Sequence, residues 1–458
     1  MMKHRFCDRD ASPNSDTTIF PMKNLYTLLY AFSLILINPW GGSRGEIWTQ
    51  PKVFVVLLIV LSNLSFLWEE RKLLTFSRQW KVCLILWGVF LTVGAISTLN
   101  SPFPERSFWG QNQMGDGWLY WLLISIFSLT NRLLLKLHPE LFRCQMRGLL
   151  IGGAVVAVSV FPQVVNWQID YTATNGQLIA HDVLASTIFR GQQPLAQPSK
   201  RIALFSHRGH AAIVLTLTAV ICAVAWKWKL ISDRTATLAL FLILPALLFT
   251  NTRTAVLSLI ISLSYLLGRQ YYKQLIPGIF IGLLAISAMT FTRPLDWNRV
   301  SVAQVMSSRS PLWELAVRGI QKRPLFGWGF NGFGIAYPFV ANPNKVPEIV
   351  NLGHFSYDYV APNGQVRTEI IPSYKAHNWI LDTAISTGIM GAIASFALWG
   401  YCLHGAIVSL NTDLSAVAIG YLTFILPWFE CAQYAQVLWL ALDGSESSFP
   451  SPKLSILE

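Results

Sequence analysis

The sequence predicts an all-α integral membrane protein of about eleven or twelve transmembrane helices, with a large extracytoplasmic loop carrying short amphipathic helices. Three observations predict it. Of 458 residues, 53% are hydrophobic and only 13% are charged, too little charge to cover a soluble surface of this size. Long apolar runs recur along most of the chain. Between them lie short turns whose lysines and arginines fall mostly on one side.

The first 24 residues are polar and hold no apolar core followed by a small-residue cleavage site, so they read as a cytoplasmic tail and not a removable signal peptide. Apolar runs long enough, or nearly so, to cross a hydrocarbon core of about 30 Å begin near Leu25, Val53, Val82, Trp118, Leu149, Ala211, Thr235, Thr254 and Leu275. A long polar segment follows. Further spans are expected from Asn378 to Leu403, from Leu414 to Phe429 and, more weakly, from Cys431 to Leu442.

Orientation follows the positive charges. Lys3, Arg5, Arg9 and Lys23, then Arg71, Lys72, Arg78 and Lys81, then Arg132, Lys136, Arg143 and Arg147 mark one side. Lys227, Lys229, Arg234, Arg269 and Lys273 bring that side to seventeen, against four on the other, Arg44, Lys52, Arg106 and Arg253. The richer side is expected inside.

The chain thus divides into a cytoplasmic tail (1–24), a membrane domain of nine spans (25–292) with an outer loop at about 167–209, a large outer loop (293–376), a closing membrane domain of two or three spans (377–443) and a tail expected to be disordered (444–458). The net charge of +12 reflects this bias plus arginines of the outer loops. It calls for anionic lipid headgroups as partners and not nucleic acid. The six cysteines lie in spans, at their edges or on the inside, and none falls in a long outer loop, so no disulfide framework or zinc motif is encoded.

In the large loop, Ser310-Pro311 places a cap before a proline suited to a first helical turn, and Leu312, Leu315, Ala316 and Ile320 form one apolar stripe up to Lys322-Arg323-Pro324. Arg309 precedes this helix, where backbone N–H groups already favour an anion; guanidinium and helix end together would suit a phosphate. The bland alternative is an arginine reaching for headgroups. Glu314 and Arg318 stand i,i+4 and read as a surface pair. Gly327-Trp328-Gly329-Phe330-Asn331-Gly332 spells a dinucleotide fingerprint, but a helix precedes it and no βαβ unit surrounds it; the glycines read as sharp backbone turns against the bundle.

His377 stands at the outer end of an apolar run, able to take a proton from a hydroxyl near neutral pH, although a lone histidine at a span end is commonly an ordinary hydrogen-bonding residue. Asp382, five residues deeper, is a carboxylate inside a span and so is expected to be paired or functional, with Asn378 or an arginine as partner. Asn251-Thr252-Arg253-Thr254 forms a tight outer turn. Ser206-His207-Arg208-Gly209-His210 closes the other outer loop; a two-histidine metal site there lacks an evident third ligand.

The order Asn251-Thr252-Arg253-Thr254-Ala255, Arg309-x-x-x-Trp313, Arg323-Pro324-Leu325-Phe326-Gly327-Trp328-Gly329, Ala376-His377-Asn378-x-x-Leu381 and Gly388-Ile389-Met390-Gly391 resembles the O-antigen ligase and polymerase superfamily. The chain departs from it in carrying Thr252 where the family often has Ser, and Arg323-Pro324 where it has His-Pro. The resemblance implies a membrane glycosyltransferase of the bacterial inner membrane with its large loop in the periplasm. It would move a glycan from a polyprenyl-diphosphate carrier to an acceptor hydroxyl, on lipid A core or another glycan, without cofactor or metal. It makes Arg253, Arg309 and His377 the candidate catalytic residues. We count Arg208, His210, Arg318, Asn378 and Asp382 as candidate substrate contacts. The alternative is a transporter of a small anion such as bicarbonate, which Asp382 favours.

Overall fold

The structure is a computed structural model that describes residues 15–164, 202–291, 309–342, 348–353, 355–409 and 411–445. The expected loop at 167–209 and the terminal tails fall largely outside these residues. The chain is a multi-pass, all-α membrane protein, with one small sheet among the described residues. Six helices among the described residues are long and apolar enough to cross a bilayer.

In chain order the helices are α1 (Ser15–Ile35), α2 (Gln50–Glu69), α3 (Arg78–Leu99), α4 (Pro104–Trp109), α5 (Trp118–Leu137), α6 (Leu141–Val164), α7 (Arg208–Lys227), α8 (Asp233–Phe249) and α9 (Arg253–Phe291). After them come α10 (Ser310–Lys322), α11 (Gly332–Val340), three strands, α12 (Trp379–Val408), α13 (Ser415–Ile425) and α14 (Ala435–Ser445). Serine caps begin two of them, Ser77 accepting from Trp80 N–H ahead of α3 and Ser232 from Thr235 N–H ahead of α8. Helix α7 is buried along almost its whole length and forms the centre of the bundle.

Several details depart from the sequence reading. The first helix starts at Ser15, ten residues before Leu25, and α14 carries Gly444 and Ser445 as packed helical residues where a disordered tail was expected. The spans expected near Thr254 and Leu275 are joined in one helical segment, α9. Gly282 nevertheless lies against Ile260 and Val256, which a straight helix would place about 33 Å away. The segment therefore folds back on itself. Its polar middle, Arg269-Gln270-Tyr271-Tyr272-Lys273, consists largely of residues that a helix tolerates.

Lys52, expected in an outer turn, is fully buried near the start of α2. Its ammonium spends its three donors on the carbonyls of Leu36, Trp48 and Leu204 at 3.2, 3.1 and 2.8 Å. It ties α1, the π-helical turn Gly45–Thr49 and the segment before α7 together.

The large loop and the start of α12 share a second core, in which Ala316, Trp328, Phe333, Ile335, Tyr357, Tyr374 and Ile385 are buried. Helix α10 ends where the sequence reading placed it and packs its apolar stripe against α11 and α12. The sheet was not expected. Strands β1 (Glu348–Leu352), β2 (Ser356–Val360) and β3 (Val366–Ile370) form an antiparallel meander, with Glu348 opposite Val360 and Ser356 opposite Ile370. The signal for it was the Asn363-Gly364 turn between runs rich in tyrosine and valine, with Gly364 at φ 77°.

Helix α12 breaks at Gly388, whose φ of 69° is in the left-handed region. The carbonyls freed by the break are taken by the glycine-rich loop: Trp328 N–H donates to Ile385 O at 3.0 Å and Gly329 N–H to Ser386 O at 2.9 Å. In return Ile389 N–H donates to Pro324 O at 2.8 Å. A Cβ on Gly388 would come within 2.2 Å of Leu325 O. The glycines thus serve close backbone docking, and the loop is fixed to the broken helix as if by a short ladder.

Candidate functional site

The site assembles at one end of the bundle, around the turn Pro427-Trp428-Phe429-Glu430 between α13 and α14. Trp428 and Phe429 stack with centroids 5.0 Å apart. His377 stands edge-on to both, 4.9 Å from Trp428 and 5.2 Å from Phe429. The Arg309 guanidinium lies over the Trp428 ring at 5.8 Å and donates through Nη1 to Pro427 O at 2.7 Å. His207 packs on the same indole at 5.5 Å, and His210 reaches Phe429 at 5.9 Å.

Helix starts converge here. Arg309 is the N-cap of α10, Arg253 the first residue of α9, His207 the N-cap of α7 and Asn378 the N-cap of α12. Each N-terminus presents the positive end of its dipole, so the cluster favours an anion before any side chain is counted. Burial holds the Arg309 guanidinium below its ordinary value, and the neighbouring Arg253 adds to this. Two arginines close enough to feel each other make a strongly positive patch, which a diphosphate would relieve.

The backbone of His377 has φ 56°, an uncommon conformation for a residue with a Cβ, costing roughly 1–2 kcal/mol. Its Nδ1 lies 3.1 Å from Lys375 O. A carbonyl only accepts, so Nδ1 carries the proton and Nε2 is left with its lone pair, the tautomer a base requires. Burial pushes the imidazole down to about 4, against the pull of that backbone bond, and Arg309 and Lys375 push it the same way. At neutral pH the ring is uncharged.

Behind His377, Lys375 pairs with Asp116 from the turn before α5. Burial alone would depress the ammonium; Asp116, then Asp382, outweigh it and hold it above its usual value. Asp382 is buried and its Oδ1 accepts from Ala376 N–H at 2.8 Å. Glu430 accepts from the Trp379 indole at 3.0 Å.

The sequence candidates separate accordingly. Arg253, Arg309 and His377 come together, and the half-buried Arg208 opens α7 beside His207. Asn378 spends its Oδ1 on capping α12, accepting from Ile380 and Leu381 N–H at 3.0 and 3.2 Å. Arg318 pairs with Glu314 at 2.5 Å on the exposed face of α10. His210 is wholly enclosed, with Nδ1 at 3.2 Å from Ser206 Oγ, and its ring packs against Tyr434. It is a core residue of this end of the bundle and has no surface to offer a substrate. Sequence reasoning missed Trp428, Phe429 and Glu430, which read only as the edge of an apolar run.

Residues 236–396 match the family model described as O-Antigen ligase (Wzy_C). The chain carries an O-antigen ligase domain. That domain spans α8 and α9, the large loop and the first part of α12, and so contains Arg253, Arg309 and His377. The match supports a membrane glycosyltransferase of the ligase or polymerase type. No curated protein matches the chain.

Proposed function

We propose that the protein transfers a glycan from a polyprenyl-diphosphate carrier to an acceptor hydroxyl, on lipid A core or a growing glycan. The reaction would take place at the periplasmic face of a bacterial inner membrane and without a metal. The observation that carries this reading is that Arg309 and His377 share the Trp428 indole, with Arg253 beside Arg309. Positive charge for a leaving group and a neutral imidazole with a free Nε2 thus meet within one O-antigen ligase domain.

In the reaction the acceptor oxygen attacks the anomeric carbon as the bond from that carbon to the diphosphate oxygen breaks. The diphosphate leaves with the electron pair, and Arg253 and Arg309 stabilise the charge it gains. His377 Nε2 takes the hydroxyl proton. Direct displacement inverts the sugar carbon. The positive-inside bias supports a cytoplasmic N-terminus and a periplasmic site.

The reading is tested by binding. A glycan on a short prenyl diphosphate should bind the intact protein in nanodiscs. Arg253→Ala and Arg309→Ala should each weaken it by roughly 10- to 100-fold. EDTA should leave binding and transfer unchanged. Equal binding by all three proteins would remove the arginines from the diphosphate.

A further inference from the structure

We propose that Asp382, with the Asp116–Lys375 pair, is a positioning device for His377: it pins the backbone before the imidazole and so holds the ring against Trp428 with Nε2 free. The inference rests on the reading of His377 as the base.

His377 sits at φ 56°, so its conformation must be imposed from outside. On its N-terminal side, Ala376 is fully buried and donates its N–H to Asp382 Oδ1 at 2.8 Å. One residue earlier, the Lys375 ammonium is anchored on Asp116 and the Lys375 carbonyl takes the Nδ1 proton of His377. On the C-terminal side, Asn378 caps α12. The imidazole is therefore the part of this stretch that faces the aromatic pair, while the chain on either side of it is fixed.

The anchor sits in a tightly packed backbone turn. Asp116 lies in a turn whose ends nearly touch: a Cβ on Gly117 would come within 2.3 Å of Gly110 N.

Asp382 offers a glycan little surface. It is 6% exposed, and its Oδ2, which has no protein partner, belongs to a group lining a cavity of about 50 Å³ with Asp116, Asn331 and Glu430. That space admits water but not a sugar ring. Its influence must pass through the backbone it holds.

The experiment compares Asp382→Ala and Asp382→Asn in the full chain in nanodiscs, with His377→Ala and the double variant. It reads kcat, KM for the donor, and the imidazole signals of protein labelled with ¹⁵N-histidine. Asp382→Ala should lower kcat by roughly 100-fold with KM almost unchanged, the scale of a small misplacement of a reacting group. It should also cost the imidazole its single Nδ1–H tautomer. Asp382→Asn keeps an oxygen for Ala376 N–H and should restore both. On a His377→Ala background, Asp382→Ala should cost nothing more.

An asparagine variant as inactive as the alanine one, with the imidazole signals intact, would overturn the proposal and make Asp382 a proton carrier. A raised donor KM with intact signals would make it a substrate contact. Activity retained in His377→Ala would refute the base, while the tautomer signal would still decide the positioning. If Asp382→Ala does not fold, the pair Asp116→Asn with Lys375→Met frees the same segment and is read in the same way.

Discussion

The His377 imidazole stands edge-on to the Trp428 indole, with ring centres 4.9 Å apart and planes at 88°. The same indole carries Arg309 at 5.8 Å, so one side chain sets the spacing between the proposed base and the proposed anion holder. Trp428→Ala should therefore lower kcat/KM by about 100-fold, and Trp428→Phe should retain most of it. Transfer kinetics on the two variants check this.

An imidazole pushed down to about 4 should give a kcat/KM that is flat near neutral pH and falls on the acid side with a midpoint near that value. The groups bearing on the ring are Arg309 and Lys375, with Asp116 and Asp382 behind the lysine. Once a diphosphate neutralises Arg309 the imidazole should rise, so the acid limb of kcat should lie at higher pH than that of kcat/KM. Activity is lost as pH falls, because protonation removes the base. Stability moves the same way between the ordinary 6.5 and about 4, since the unfolded imidazole takes a proton that the folded one refuses.

Much of the fold was legible because bilayer burial writes long apolar runs and helix ends carry their own chemistry. Ser310-Pro311 and Arg323-Pro324 bounded α10 correctly from residue types alone. The sheet escaped because its strands are short and largely exposed, with β3 exposed throughout, so no buried alternation marked it. Arg253 and His377 were found at span ends and Arg309 in the large loop, as separate charged or titratable groups. What brings them together, Trp428 and Phe429, looked like any aromatic pair at an interface, and only the packing of α13 and α14 against α7 and α12 gives it a role. His210 and Lys52 misled for the opposite reason: polar side chains near helix starts turned inward to satisfy buried partners.

The docking of the glycine-rich loop on the broken helix predicts a sharp positional contrast. Gly388→Ala should destabilise the protein by roughly 3 kcal/mol or more, from a left-handed backbone and a clash with Leu325 O. Gly400→Ala, on the same helix with nothing within 4 Å of a new Cβ, should be neutral or mildly stabilising. Thermal unfolding in detergent separates the two.

Lys52→Met should destabilise the bundle by roughly 2–3 kcal/mol, because it removes the buried donor shared by the carbonyls of Leu36, Trp48 and Leu204. The loss should appear in the unfolding midpoint and leave donor KM unchanged in the folded fraction.

The most direct test is transfer of a labelled glycan from synthetic polyprenyl diphosphate in liposomes, comparing the intact protein with His377→Ala, Arg309→Ala and Arg253→Ala. The account predicts transfer by the intact protein and a loss of roughly 100-fold or more in each variant, with folding unchanged. Full activity in all three variants would contradict it.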